Sequence, residues 1–322
     1  MANYDMLDLM NMPVEVIPEA TTYLTIYYSG LIGLMLYNIG SGILRAVGDS
    51  QRPFYFLVVC AILNTVLDLL FVLVFHMGVA GVALATILSQ GISALLVLIT
   101  LMRTDSCIRL HLRKLRIHMD MLKKIVKVGI PAAFQMCITA FSNIFVQSYI
   151  NYFGADCMSG WTAYSKIDQL ALLPMQSIAL ASTTFVGQNL GSGQVARAKR
   201  GVRNSLIIAV TSTIIMMIPL IVFASPLVSF FNSKPQVIEY GTLLLRWMTP
   251  FYVLCCFNQI YAGALRGSGN SKAPMFIMLF SFVFFRQCYL FVMSRVWNEI
   301  IPIAMSYPAG WLLCSTLTLI YY

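Results

Sequence analysis

Apolar residues in this chain run in long unbroken blocks. Nine hydrophobic stretches can be drawn, at about 19–46, 54–77, 80–103, 122–153, 158–188, 202–231, 238–266, 274–296 and 300–322. Each reaches the roughly 20 residues that carry an α-helix across a hydrocarbon core about 30 Å thick. The pattern predicts an all-α polytopic membrane protein. One long polar interval, 104–121, carries Arg109, Arg113, Lys114 and Arg116. It separates three predicted helices in 1–103 from six in 122–322. Residues 1–18 are acidic, with Asp5, Asp8 and Glu15, and lack the basic start and apolar core of a signal peptide.

Composition sharpens this reading. Hydrophobic residues make up 59% of the 322 and charged residues 10%, against about 45–50% and about 25% in soluble globular chains. A soluble enzyme, a secreted disulfide scaffold and a disordered chain are thereby excluded. The net charge of +9 raises nucleic acid as a partner, but its distribution answers otherwise. Arg45, Arg52, the Arg103–Lys127 stretch, Arg197–Arg203, Arg266 and Lys272 all fall in every second connection, the positive-inside pattern. The charge orients helices and meets anionic lipid, with no nucleic acid implied. Of the eight cysteines, only Cys107 and Cys157 fall in predicted loops, on opposite membrane sides. No metal spacing or disulfide framework is present.

An internal repeat stands out. Gly42-Ile-Leu-Arg45-Ala-Val-Gly48-Asp49-Ser50-Gln-Arg-Pro53 recurs as Gly263-Ala-Leu-Arg266-Gly-Ser-Gly269-Asn270-Ser271-Lys-Ala-Pro274. Each copy predicts a helix end, a glycine turn and a restart at proline. An even number of predicted helices separates the copies, so they share one membrane orientation, as in parallel-repeat transporters. Three helices precede the second copy and none the first. The expectation is a chain lacking three N-terminal helices of a twelve-helix protein.

These motifs resemble the multidrug and toxic compound extrusion (MATE) family of antiporters. Leu44-Arg45-Ala-Val-Gly48-Asp49 and Leu265-Arg266-Gly-Ser-Gly269-Asn270 carry the resemblance. So do Leu9-Met-Asn-Met-Pro13, Asn64-x-x-Leu67-Asp68, Gly81-x-Ala-x-Ala85-Thr86, Phe185-Val-Gly187-Gln188-Asn189-Leu-Gly191 and Tyr307-Pro308-x-x-Trp311. The resemblance implies two six-helix lobes around a central cavity. It also implies Na⁺- or H⁺-driven export of small molecules, organic cations or drugs, by a monomer in the bacterial cell membrane, without a cofactor. Residues 1–103 would then be the remnant of the N-lobe, 104–121 a cytoplasmic linker and 122–322 the C-lobe. No Walker loop or H-E-x-x-H motif is present, so an enzyme is not expected.

Asp68 lies inside an apolar stretch, where a charge costs on the order of 2.5–3.5 kcal/mol. Asn64, four residues earlier, shares its helical face. Asp68 and Thr86 fall at similar depths on neighbouring predicted helices, about 13 and about 8–9 Å from the outer ends. Carboxylate, amide and hydroxyl oxygens suit a hard cation; a structural cluster around a protonated Asp68 is the other reading. The resemblance places Asn64, Asp68 and Thr86 at the N-lobe cation site, and the partner aspartate of the family's first helix has no counterpart here. The carboxylates of the family's C-lobe site are also missing, since Gln135–Thr139 and Cys255–Asn258 contain no acid.

Lys166, Asp168, Arg246 and Arg286 lie inside later hydrophobic stretches. They form either structural ion pairs, with Asp168 reaching Arg246 or Arg286, or a substrate cavity. Two alternatives to multidrug antiport follow. One is a lipid-linked oligosaccharide flippase using those cations; the other is a transport-inactive fragment.

Overall fold

A computed structural model of the chain describes residues 17–322. The Leu9–Pro13 motif and the acidic Asp5, Asp8 and Glu15 lie outside the described residues. The chain divides into two compact units between Arg116 and Ile117.

In the first unit, α1 (Ile17–Ser29), α2 (Leu31–Ala46) and α3 (Gln51–Leu69) all pack against α4 (Gly78–Arg103). The buried face of α4 is built largely from small residues, among them Gly81, Ala83, Ala85, Ser89, Ser93 and Ala94. Small side chains let helices approach where lipid supplies no hydrophobic drive between them. α3 buries only Pro53 and continues into a π-helical turn, Leu70–Val74. The basic linker folds back on this unit: the Leu110 N–H donates to the Leu101 carbonyl at 2.9 Å. Ile108 and Leu110 cover Tyr37, Leu44 and Leu101.

The second unit contains α5 (Met119–Asn151), α6 (Ala155–Gly191), α7 (Val195–Val222), α8 (Ala224–Ser229), α9 (Pro235–Met248) and α10 (Tyr252–Gly267). There follow α11 (Lys272–Leu279), α12 (Arg286–Val296), α13 (Ile300–Ala304) and α14 (Ser306–Tyr321). A π-helical turn, Phe280–Phe285, joins α11 to α12. The central helix is α6, packed against α7, α9 and α10. A Cβ at Gly263 of α10 would sit 2.9 Å from the Ala179 carbonyl oxygen, and one at Gly267 would sit 2.5 Å from that of Thr183. Glycine at these positions is what lets the α10 and α6 backbones touch.

Seven helices among the described residues are long and apolar enough to cross a membrane unbroken. The other two of the nine expected spans are interrupted. The 19–46 stretch breaks at Gly30, and the 238–266 stretch breaks at a 3₁₀ turn, Thr249–Phe251. Pro250 lacks the N–H a continuing helix needs. Of the nine membrane helices expected, seven are thus matched by long apolar helices among the described residues, and the other two stretches are broken.

The broken stretches are repeat mates, and the match extends to individual bonds. In the first copy, the Asp49 N–H donates to Leu44 O at 3.0 Å and the Gly48 N–H to Arg45 O at 3.0 Å. In the second, Asn270 N–H donates to Leu265 O at 2.9 Å and Gly269 N–H to Arg266 O at 2.9 Å. This is a Schellman cap, whose left-handed residue is ordinarily glycine. Gly48 has φ 91° and Gly269 φ 87°. The Asp49 and Asn270 side chains then each accept the backbone N–H three residues on, from Arg52 at 3.2 Å and from Ala273 at 3.3 Å. Pro53 and Pro274 follow in the first helical turn.

All the described cysteines are free. Cys157, expected in a loop, is instead buried in the first turn of α6, because the helix begins at Ala155.

Candidate functional site

The α3–α4 hairpin brings Asn64, Asp68 and Thr86 onto adjoining helices. Gly81 sets the register, since a Cβ there would meet the Phe71 side chain at 2.9 Å. Asp68 precedes that contact by three residues and Thr86 follows it by five, so they lie about 5 and about 8 Å along their helices from it. The π-helical turn begins two residues after Asp68; such turns recur at functional sites. The Asn64 amide nitrogen and one Asp68 carboxylate oxygen are closed off from solvent without a hydrogen-bond partner. Thr86 Oγ1 donates to Val82 O at 2.9 Å, within its own helix. No bond joins the three side chains directly. A half-buried carboxylate without a partner in an apolar hairpin is costly, and a bound cation or proton would relieve that cost.

The four charged residues of the second unit do not form one cluster. Asp168 accepts a hydrogen bond from Tyr164, one turn earlier on α6, at 3.3 Å. Buried Tyr252 stands beside the same carboxylate without closing a bond to it. The expected ion pairs between Asp168 and Arg246 or Arg286 do not form: the three ion pairs among the described residues lie elsewhere. Arg286 is 3% exposed and is held by polar and aromatic groups. Its Nη2 donates to Ser142 Oγ and to Asn143 Oδ1, both at 2.8 Å. Its guanidinium stacks over Tyr307 at 4.8 Å, and Tyr307 in turn feels both Arg286 and Asp168. Gln287 Nε2 also donates to Ser142 Oγ, at 2.9 Å. Arg286 thus clamps α12 to α5 inside the core.

Arg246 is exposed on α9. Lys166 lines a cavity of about 550 Å³, with Gln147, Ala155, Met158, Ser159, Thr162, Ala163, Phe231 and Asn232. Sequence reasoning did not connect Tyr164, Tyr252 or Tyr307 with these charges. The i, i+4 spacing applied to Asn64 and Asp68 would have found Tyr164 opposite Asp168. Among the described residues no group of three His, Cys, Asp or Glu could hold a metal ion.

With this geometry in place, the comparisons with known proteins are decisive. The MatE family model matches residues 1–70 and 131–287. The chain belongs to the MATE family. It is 31% identical over 317 residues to the probable multidrug resistance protein YpnP of Bacillus subtilis, spanning 98% of this chain and 71% of that protein. It is 28% identical over 280 residues to the FAD transporter of Shewanella oneidensis, spanning 82% of this chain and 59% of that one. A solved outward-facing multidrug resistance MATE transporter matches 99% of the chain and 72% of its own length, at TM-score 0.92 and 21% identity. A Pyrococcus furiosus transporter of the same superfamily, described as having reverse polarity in its binding pocket, matches at TM-score 0.94 and 22% identity, over 99% of this chain and 72% of its own. At such identities the likeness is one of fold. This MATE chain is a multi-pass membrane transporter of the cell membrane and not an enzyme.

Proposed function

We propose that this MATE chain exports small amphiphilic compounds, organic cations and drugs among them, in exchange for Na⁺ or H⁺. The observation that carries the reading is Asp68: a spanning-helix carboxylate with an oxygen that has no hydrogen-bond partner, beside Asn64 on α3 and Thr86 on α4. An occupant that neutralises Asp68 stabilises one arrangement of the hairpin, and export follows if the compound favours the other. The relatives named as multidrug resistance proteins support the same reading. A lipid-linked oligosaccharide flippase would need several cations facing one cavity. Arg286 is engaged inside the core, so that reading loses one of its three.

The test is accumulation. Energised cells expressing the chain, loaded with a panel of cationic and zwitterionic dyes, should retain less of at least one dye than control cells. Collapsing the Na⁺ and proton gradients together should erase the difference. Retention equal to controls across the panel, with the protein present in the membrane, would contradict the proposal.

A further inference from the structure

Lys166 and Asp168 lie on the same helix, two residues apart, and so point in different directions. Asp168 turns inward toward Tyr164 and Tyr252. Lys166 turns outward into the 550 Å³ cavity of the second unit. It lies eleven residues from the start of α6 at Ala155, about 16 Å along the axis, well inside the apolar span. Its ammonium makes no ion pair or hydrogen bond among the described residues. The nearest acid along its helix, Asp168, is engaged with Tyr164, and Asp156 pairs with Lys234 at 3.7 Å. A cation at this depth ordinarily pairs with an opposite charge or marks a ligand path.

The walls complete the chemistry. Gln147 of α5 and Asn232 of the α8–α9 connection supply amides; Ser159 and Thr162 of α6 supply hydroxyls; Met158 and Phe231 supply apolar, polarisable surface. No acidic residue lines the cavity. Thr162 Oγ1 already donates to Met158 O at 2.9 Å and Gln147 Nε2 to Asn151 Oδ1 at 2.8 Å. The Lys166 ammonium, with the Asn232 amide beside it, therefore leads as receptor for a negative oxygen group, and Met and Phe suit a flat apolar body of varied shape.

We propose that this cavity binds amphiphilic compounds through a carboxylate or phosphate group seated on Lys166. The proposal rests on the export reading and narrows it: the exported compound brings an acidic oxygen group, alone or beside a positive one. The same chemistry could come from a soluble compound or from the phosphate of an anionic lipid.

A binding measurement separates this from transport. The purified 322-residue chain in phosphatidylcholine nanodiscs is titrated with riboflavin and with riboflavin 5′-phosphate, which share the ring system and differ by one phosphate. The phosphate ester should bind about tenfold more tightly, the scale of one charge-assisted hydrogen bond. Lys166→Gln should abolish that preference and Lys166→Arg should keep it. Loss of binding when phosphatidylglycerol is added would support the anion site with lipid as its source; unchanged binding would support it with the soluble compound. Equal affinity for the two flavins, or a preference that survives Lys166→Gln, would overturn the proposal. Failure of export with the flavin preference intact would count against the export reading alone.

Discussion

Asp68 and Asp168 are both aspartates on apolar helices, yet the two units treat them differently. Asp68 sits on α3, a helix that buries little, and its neighbour Asn64 and one of its own oxygens find no partner. Asp168 sits on the central helix of the second unit, beside Tyr164 and Tyr252, with Trp161 and Trp311 close by. The ring centroids there are 5.2 Å apart for Trp161–Tyr164 and 6.0 Å for Tyr252–Trp311. Contact packing of that kind fixes a carboxylate in one place. The difference teaches that depth in the membrane does not by itself mark a working acid. On the proposed reading, what marks it is a side chain that the fold leaves uncommitted.

Four predictions would break or sharpen that contrast. The largest effect is expected at Asp68. Asp68→Asn removes the charge while nearly keeping the shape, so it should abolish gradient-dependent efflux without lowering the thermal midpoint in detergent. Efflux at the wild-type level would end the assignment. Next comes the Arg286 clamp. Ser142→Ala strips one acceptor from a buried guanidinium and one from Gln287, and should cost about 1–3 kcal/mol of stability; an unchanged melting curve would show that the clamp carries no weight. Third are the repeat turns. Gly48→Ala and Gly269→Ala each force a side chain into left-handed backbone, and each should cost about 1–2 kcal/mol. The same measurement should return similar values for both, because the two caps share their bonds; a large inequality would separate the copies. The smallest effect is expected at Asp168. Asp168→Asn keeps an oxygen for Tyr164, and should change stability by less than about 1 kcal/mol and leave efflux intact. Abolished efflux there would erase the contrast between the two acids.

Much of the fold was legible in the sequence because lipid makes helix length and backbone satisfaction nearly obligatory. The repeat was legible because a Schellman turn needs glycine and its restart favours proline. The breaks at Gly30 and Pro250 were not foreseen. An apolar run of the right length reads as one span, and nothing in its hydropathy marks where the backbone turns. At the candidate site, Asp68 stands out in the sequence by position alone, and its functional role remains the proposal. The partners of Arg286 were not legible, since α5 and α14 supply them from far along the chain, whereas Tyr164, one turn from Asp168, lay within reach of the i, i+4 rule. Opposite charges in one hydrophobic region suggested a pair, whereas the fold gave Asp168 a tyrosine hydroxyl and Arg286 a hydroxyl, an amide and a ring.

The central claim is that Asp68 exchanges its occupant when a compound binds. Purified protein in weakly buffered solution, at several Na⁺ concentrations, can be mixed with a dye that the cells export while released protons and Na⁺ are followed. The account predicts release of one or the other ion on dye binding to the wild type and to Asp168→Asn, and none from Asp68→Asn. Dye binding with no ion released from the wild type, or with equal release from Asp68→Asn, would contradict it.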